Sequence, residues 1–178
     1  MEQVILNKNN IETILNDSAE KIIAEINDFN KFAIIGVQTR GVNLSERIKK
    51  KVETLKNIDI KSGILDITFH RDDLSTRGIL PEIKETRIEF DIEGMIILLV
   101  DDVIYSGRTS KAAIETLMTF GRPSKIKLFA LVDRGNRDLP IQPDYCGYKI
   151  ETKPGERIKV RLQDTDGEED KVIHATVD

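Results

Sequence analysis

The chain has 178 residues, of which 39% are hydrophobic, and its 27 basic and 31 acidic residues give a formal net charge of −4. This is enough for one domain with a sizeable core, and the near balance of charge gives no general reason to expect nucleic-acid binding. Because no export-type apolar region and no apolar run near eighteen residues is present, we expect a cytoplasmic protein outside the membrane. A single cysteine, Cys146, excludes an internal disulfide framework.

An amphipathic helix is the first element that the sequence predicts. Apolar residues recur at steps of three and four residues, which predicts one buried helix face. These residues are Ile11, Ile14, Leu15, Ala19, Ile22, Ile23, Ile26 and Phe29. The opposite face is polar, so we expect it to be solvated.

A strand at residues 32–37 and a helix at residues 42–56 follow, joined by a turn that contains Thr39-Arg40-Gly41. Such a turn at the end of a strand offers backbone N–H groups and a guanidinium to an anion. Taken alone, the turn favours a simple helix start with Arg40 in solvent. Beside the acidic motif described below, anion binding becomes the favoured interpretation.

Residues 58–69 carry alternating apolar positions, which predict a strand after a turn near Ser62-Gly63. Residues 70–93 are highly charged and contain Gly78 and Pro81. By composition alone, this second segment is a surface hairpin.

The most informative stretch begins with six apolar residues at positions 95–100. Such a run predicts a strand covered on both faces, as in the parallel sheets of α/β proteins. Asp101 and Asp102 end the run, a loop of small and hydroxyl residues follows, and residues 110–120 carry a helical apolar stripe. The unit is therefore a strand, an acidic pair, a phosphate-sized loop and a helix.

The loop after the acidic pair suits a phosphate dianion. Backbone N–H groups at a helix N-terminus lack helical partners, and the helix dipole adds positive potential. Gly107 allows close approach of a ligand, Ser106 and Thr109 supply hydroxyl donors, and Arg108 supplies charge. The loop is neither a P-loop nor a dinucleotide fingerprint, since it lacks the Lys-Ser/Thr ending and holds one glycine.

Asp101 and Asp102 complement this loop. Carboxylates at the end of a strand can accept hydrogen bonds from vicinal hydroxyls or hold hydrated Mg²⁺. A phosphate site beside such a pair indicates a ribose 5-phosphate. A buried strand, an acidic turn and a capped helix can also arise without a ligand, but the run from Asp101 to Thr109 is less easily explained that way.

Another apolar strand is predicted at residues 125–132, after a helix stop at 121–124. Asp133 and Arg134 then lie at its carboxyl end, which is the ligand side of an α/β sheet. We expect the remaining residues to fold as a small lobe, with a solvated turn at 167–170 and a last strand at 171–177.

These motifs together resemble the type I phosphoribosyltransferases. More narrowly, the sequence resembles the PyrR family, whose bacterial members regulate pyrimidine operons and act as uracil phosphoribosyltransferases. The run from Asp101 to Thr109 is similar to the motif that binds phosphoribosyl diphosphate (PRPP). Four further matches in the right order extend the resemblance over nearly the whole chain, at residues 36–41, 66–75, 121–124 and 131–141.

The resemblance implies one domain at residues 1–178, with a mostly parallel sheet flanked by helices, a mobile flap at about 70–93 and a small hood at about 133–178. It implies conversion of uracil and PRPP to UMP and pyrophosphate, with Mg²⁺ as cofactor. It also implies a homodimer or a higher homo-oligomer.

The resemblance further assigns roles to residues near PRPP. It implies that Asp101, Asp102, Arg40 and Arg71 take part in catalysis. The residues that it places against PRPP are Thr39, Arg40, Gly41, Asp101, Asp102, Val103, Ile104, Tyr105, Ser106, Gly107, Arg108 and Thr109. Because this fold often has a cis peptide in its pyrophosphate loop, we expect one at Thr39-Arg40.

In the hood, the resemblance assigns the nucleobase to Asp133, Arg134 and Ile158. It adds Asp164 to Asp101 and Asp102 as a holder of Mg²⁺. These roles are expectations that come from the family and not from the spacing of the residues.

Two other functions are compatible with the sequence. By the resemblance, an RNA-binding regulator would carry basic and histidine side chains on the first helix, but the corresponding positions are Asn16, Asp17, Glu20 and Glu25. Gln142 also stands where RNA-binding relatives are expected to have a basic residue. Because acids repel RNA phosphates, we expect a salvage enzyme that binds RNA poorly. A purine transferase is disfavoured by the match at residues 137–140.

Overall fold

The computed structural model describes residues 2–68 and 85–176. The strands are β1 (Glu2–Leu6), β2 (Phe32–Val37), β3 (Lys61–Leu65), β4 (Ile96–Ile104), β5 (Lys125–Asp133), β6 (Tyr145–Lys149), β7 (Glu156–Arg161) and β8 (Lys171–Thr176). The helices are α1 (Lys8–Glu25), α2 (Arg40–Lys56), α3 (Arg108–Leu117) and the four-residue α4 (Gln163–Asp166). In this part of the chain, no helix is long and apolar enough to cross a membrane.

A parallel five-stranded sheet forms the centre of the molecule, in the order β3-β2-β4-β5-β6. The chain moves outward in one direction from β2 to β3 and in the other direction from β4 to β5 and β6. The switch point between β2 and β4 is where open α/β sheets form a ligand crevice at the carboxyl ends of their strands. The predicted α/β fold is confirmed.

The sheet is covered on both faces, as the six-residue apolar run predicts. Leu98 and Val100 of β4 belong to the core under α1 and α2, whereas Ile97 and Leu99 belong to the core under α3. All four side chains are fully buried. Because successive side chains of a strand point to opposite faces, a continuous apolar run is what this position requires.

A second sheet is antiparallel, in the order β1-β8-β7. Its strand β1 is an N-terminal element that the periodicity of the sequence does not predict. The segment expected to form one small lobe is divided between the two sheets, because β6 pairs in parallel with β5 at the edge of the central sheet.

Two local predictions are wrong in detail. Ser62 and Gly63 do not form a turn but lie inside β3, where Ile34 and Ile35 of β2 pair with them, so sheet pairing overrides their turn propensity. The first helix ends at Glu25, and Phe29 lies in a short 3-10 turn.

One end of the predicted flap is described. Arg87 exchanges two backbone hydrogen bonds of 2.8 Å with Ile64, which holds this end against β3. Arg71, the flap residue expected to act in catalysis, lies outside the described residues.

Candidate active site at the switch point

The two predicted anion-binding turns meet between β2 and β4. Helix α2 begins directly after β2, and α3 follows β4 after a short loop. The two strands stop pairing at Gly36 and Val100, and Gly41 at the start of α2 packs against the end of this ladder. A Cβ at Gly41 would overlap the Val100 carbonyl oxygen and lie 3.3 Å from the Cα of Asp101. Only glycine therefore lets the first turn of α2 approach the acidic pair so closely.

Neither helix at this point is capped by the side chain of its own N-cap residue. Thr39 is the N-cap of α2 and Gly107 is the N-cap of α3, and neither position makes a side-chain cap hydrogen bond. Helix α1, away from this point, has a reciprocal capping box between Asn7 and Asn10, with both bonds at 3.0 Å. In the first turn of α3, the Arg108 N–H makes a long hydrogen bond of 3.4 Å with the Ser106 hydroxyl. The N-termini of α2 and α3 both lie at the crevice, an arrangement that binds anions.

The sequence predicts that the acidic pair ends its strand, but the structure places both residues within β4. Asp101, Val103 and Ile104 continue the ladder to β5, so sheet pairing extends the strand on one edge while the edge toward β2 is open. Asp101 is buried, with 7% of the residue exposed. Its carboxylate accepts the N–H of Asp102 at 2.8 Å. Asp102 in turn accepts the N–H of Val103 at 2.9 Å.

Burial acts on the ionisation of Asp102. It raises the pKa of Asp102, while the nearby Arg40 charge and hydrogen bonds from Asp101, Val103 and its own backbone act in the opposite direction. Desolvation disfavours the ionised carboxylate, so a cationic ligand or a hydroxyl donor at this position would relieve an existing cost.

Arg40 makes a contact that the sequence does not predict. Its Nε and Nη2 donate to the two carboxylate oxygens of Asp166 at 3.0 and 2.6 Å, across 126 residues of sequence. The hydrogen bond from Arg40 is the largest cause of the lowered pKa of Asp166. Asp166 thereby fixes one side of Arg40 beside the crevice. No local pattern distinguishes Asp166 from its neighbour Asp164.

Asp164 itself binds a different arginine. Its carboxylate accepts two hydrogen bonds from Arg47, at 2.7 and 3.1 Å, and its side chain is 53% exposed. The structure therefore brings Asp166, and not Asp164, to Arg40. The expected cis peptide is also displaced by one residue, to Gln38-Thr39.

The phosphate-sized loop is a short connection stabilised by backbone contacts. Gly107 has a φ of +91°, which an L side chain adopts only with strain, and α3 begins at Arg108, so Arg108 and Thr109 belong to its first turn. The carbonyl of Ser106 accepts the N–H groups of Asp138 and Leu139 at 2.9 and 3.1 Å. The loop is thus joined to the segment that follows β5.

The residues after β5 are held by a second set of contacts. Asp133 accepts the N–H of Gly135 at 2.9 Å and pairs with Arg137 at 2.8 Å, so both of its oxygens have protein partners. Arg134 donates at 2.8 Å to the carbonyl of Glu156, the first residue of β7. This strand also contains Ile158 and forms an edge of the small sheet. The predicted base-binding residues Arg134 and Ile158 therefore belong to one neighbourhood.

The donor set for Mg²⁺ is small. No group of three or more His, Cys, Asp or Glu side chains suited to a metal occurs in residues 2–68 and 85–176. Mg²⁺ in phosphate-transfer sites is commonly held by one or two carboxylates together with water and substrate phosphates. Asp101 and Asp102 match the carboxylate part of such a site.

Comparisons with known proteins agree with this geometry. The family model described as a phosphoribosyl transferase domain matches residues 3–165. The Bifunctional protein PyrR of Pelotomaculum thermopropionicum is 42% identical over 174 residues, covering 98% of this chain and 96% of that protein. The Bifunctional protein PyrR of Deinococcus radiodurans is 45% identical over 163 residues, or 92% of this chain and 89% of that protein.

Solved structures share the fold at lower identity. A hypoxanthine phosphoribosyltransferase from Trypanosoma cruzi has a TM-score of 0.73 at 16% identity, covering 98% of this chain and 94% of that chain. One from Staphylococcus aureus has a TM-score of 0.71, again at 16% identity, covering 99% and 92%. From the sequence matches, the chain belongs to the phosphoribosyltransferase family and, within it, to the PyrR proteins.

Proposed function

We propose that the chain transfers the phosphoribosyl group of PRPP to uracil, giving UMP and pyrophosphate. The observation that carries this proposal is that the N-termini of α2 and α3 flank the acidic pair at the switch point. Two anion sites with carboxylates between them match a substrate that has a phosphate at one end, a diphosphate at the other and a diol in the middle.

The loop from Tyr105 to Thr109 would bind the 5-phosphate. The first turn of α3 supplies backbone N–H groups, and Ser106 and Thr109 supply hydroxyls. Arg108 is partly neutralised, because its Nε donates to Asp138 at 3.1 Å. Backbone donors would therefore provide much of the phosphate contact.

The first turn of α2 would bind the diphosphate, which leaves as pyrophosphate. Thr39 offers the helix N-terminus, and Arg40 offers a guanidinium already oriented by Asp166. Stabilising the negative charge on the leaving group lowers the barrier to breaking the bond between C1′ and the diphosphate oxygen.

Asp101 and Asp102 would fix the ribose through its hydroxyls. Bound Mg²⁺ would neutralise diphosphate charge at this position. The base would approach through N1, whose proton is lost as the bond from N1 to C1′ forms. Arg134 and β7 lie where the base would bind, and holding both reactants in line supplies much of the rate enhancement.

A direct test measures UMP formation from uracil, PRPP and Mg²⁺ by the purified chain, with hypoxanthine as the competing base. We expect turnover with uracil and none with hypoxanthine. The double variant D101N/D102N should be inactive, and the matched surface variant E115Q on α3 should retain turnover. Turnover with hypoxanthine alone would replace this proposal with purine transfer.

A second function, RNA-dependent regulation, is raised by the word "bifunctional" in the names of the relatives. The structure changes the charge argument against RNA binding at two positions, Glu25 and Arg137. Glu25 is not a free acid, because it accepts hydrogen bonds from Lys127 and Tyr145, both at 2.5 Å. Arg137 is equally occupied, since it pairs with Asp133 and donates to the Tyr105 carbonyl, so it is poorly placed to contact RNA.

The test for this second function is binding to the leader transcript of the pyrimidine genes, with and without UMP, at two salt concentrations. We expect weak binding that UMP does not strengthen. Tight binding enhanced by UMP would make regulation a main role of the chain. Sedimentation of the same preparation would test the homodimer that the family resemblance implies.

A further inference from the structure

The guanidinium of Arg134 stacks on the ring of Tyr105. Its Cζ lies 4.1 Å from the ring centroid, well within the distance at which a cation is attracted to an aromatic face. Tyr105 follows β4 in the phosphate loop, whereas Arg134 follows β5. This contact therefore joins the part of the site assigned to the 5-phosphate to the part assigned to the base.

Arg134 is anchored along one side. Its Nε donates to the Thr152 hydroxyl at 3.1 Å and its Nη2 donates to the Glu156 carbonyl at 2.8 Å. The guanidinium has five N–H donors in a rigid plane, and among the described residues these two acceptors engage two of them. The other three N–H groups remain available to carbonyl oxygens of a ligand, such as those of a pyrimidine.

The backbone of Tyr105 is held by Arg137. Its carbonyl accepts Nη1 of Arg137 at 2.6 Å, and Arg137 is itself held by Asp133 at 2.8 Å and by the Ile141 carbonyl at 2.8 Å. The Tyr105 residue nevertheless stays 45% exposed. These contacts hold the backbone that carries the ring, and the ring itself contacts the Arg134 guanidinium outside the core.

A cavity of about 340 Å³ adjoins this stack. Arg134 itself is not a lining residue, but two residues that contact it, Tyr105 and Thr152, line the cavity. The other lining residues are Asn136, Arg137, Asp138 and Pro154. Its volume is at the lower end of the range for small-molecule sites, which suits a single base and part of a ribose.

We propose that Tyr105 is a positioning residue for the nucleobase: its ring holds the Arg134 guanidinium in the orientation that contacts the base carbonyls. The proposal rests on the proposed function, because it takes a pyrimidine as the ligand. It separates two roles within one loop, since the backbone of the loop would bind phosphate while the Tyr105 side chain acts on the base.

The test compares the affinities of UMP and ribose 5-phosphate, which differ by the base, for the wild type, Y105F and Y105L. The ratio of the two affinities measures the contribution of the base. In Y105L we expect UMP affinity to fall about 3- to 30-fold, the range of a partly desolvated cation–π contact, with ribose 5-phosphate affinity unchanged. Y105F keeps the aromatic face and should keep the ratio.

The matched control is F120L, which removes another aromatic side chain of similar exposure, 46%, just beyond α3. It should leave the ratio unchanged. An equal loss of both affinities in Y105L, or no loss, would overturn the proposal, as would a wild type that binds UMP no better than ribose 5-phosphate. A wild type that prefers UMP but lacks turnover would contradict the proposed reaction and leave the stack supported.

Discussion

The phosphate loop (residues 105–109) and the α4 segment (residues 163–170) both contribute to the site, but different interactions hold them in place. Backbone hydrogen bonds fix the loop, as in the two that reach the Ser106 carbonyl. Ion pairs to α2 fix the α4 segment, where Arg40 binds Asp166 and Arg47 binds Asp164 and Asp170. The loop also has charged contacts, since Arg108 pairs with Asp138 and Arg137 donates to the Tyr105 carbonyl. Its position should therefore depend less on pH than that of the α4 segment, which relies on ionised side chains.

The largest expected effect is at Asp102. The variant D102N should lower the turnover number about 100-fold or more, as does removal of a preorganised electrostatic group elsewhere. Its thermal unfolding should occur at or above the wild-type temperature, because burial raises the pKa of Asp102 and ionisation there opposes folding. Initial rates and melting curves measure both effects. Turnover within threefold of wild type would remove Asp102 from the mechanism.

The two arginine–aspartate connections of α2 offer a matched pair of variants. D166N should raise the KM for PRPP about 3- to 10-fold, because Arg40 loses the partner that orients it. D170N should leave this KM unchanged but lower the free energy of unfolding by about 2 kcal/mol, since its buried carboxylate binds Arg47 and the Gln163 N–H. Steady-state kinetics and urea unfolding separate the two.

If both variants changed KM equally, the α4 segment would act as a single unit in substrate binding. If neither changed KM, Arg40 would not need Asp166 for its role. The comparison between loop and α4 segment would then lose its functional meaning.

Acid should weaken the α4 connections selectively. Burial opposes ionisation of Asp170, but hydrogen bonds from Arg47 and Gln163 and the charge of Arg47 outweigh it, so the pKa of Asp170 is lowered. A carboxylate with a lowered folded pKa stabilises the protein above its unfolded pKa, about 3.9, and this contribution is lost as the pH falls through the folded value.

The difference in unfolding free energy between wild type and D170N should therefore shrink from pH 5 toward pH 3. Urea unfolding at four pH values in this range measures it. A difference that stays constant would mean that Asp170 acts through packing and not through its charge.

The same contrast explains what sequence reasoning could reach. The strand, acidic pair and loop from Met95 to Thr109 are contiguous, so apolar runs, glycine and hydroxyl residues predict their structure locally. The Arg40–Asp166 pair spans 126 residues, and only folding distinguishes Asp166 from Asp164. The sequence pattern likewise does not predict strand β1, because this strand is stabilised by pairing with β8 at the other end of the chain.

The smallest expected effect tests whether distance or burial gives an ion pair its strength. Lys111 and Glu115 on α3 approach to 2.6 Å, the same distance as Arg40 and Asp166, but both side chains are 53% exposed, against 26% and 13% for the other pair. Exposed pairs of this spacing contribute about 0.3–0.5 kcal/mol, so K111A should change the free energy of urea unfolding by no more than about 0.5 kcal/mol. A loss as large as that expected for D170N would show that distance alone sets these energies. The α4 segment would then have no special dependence on its buried charges.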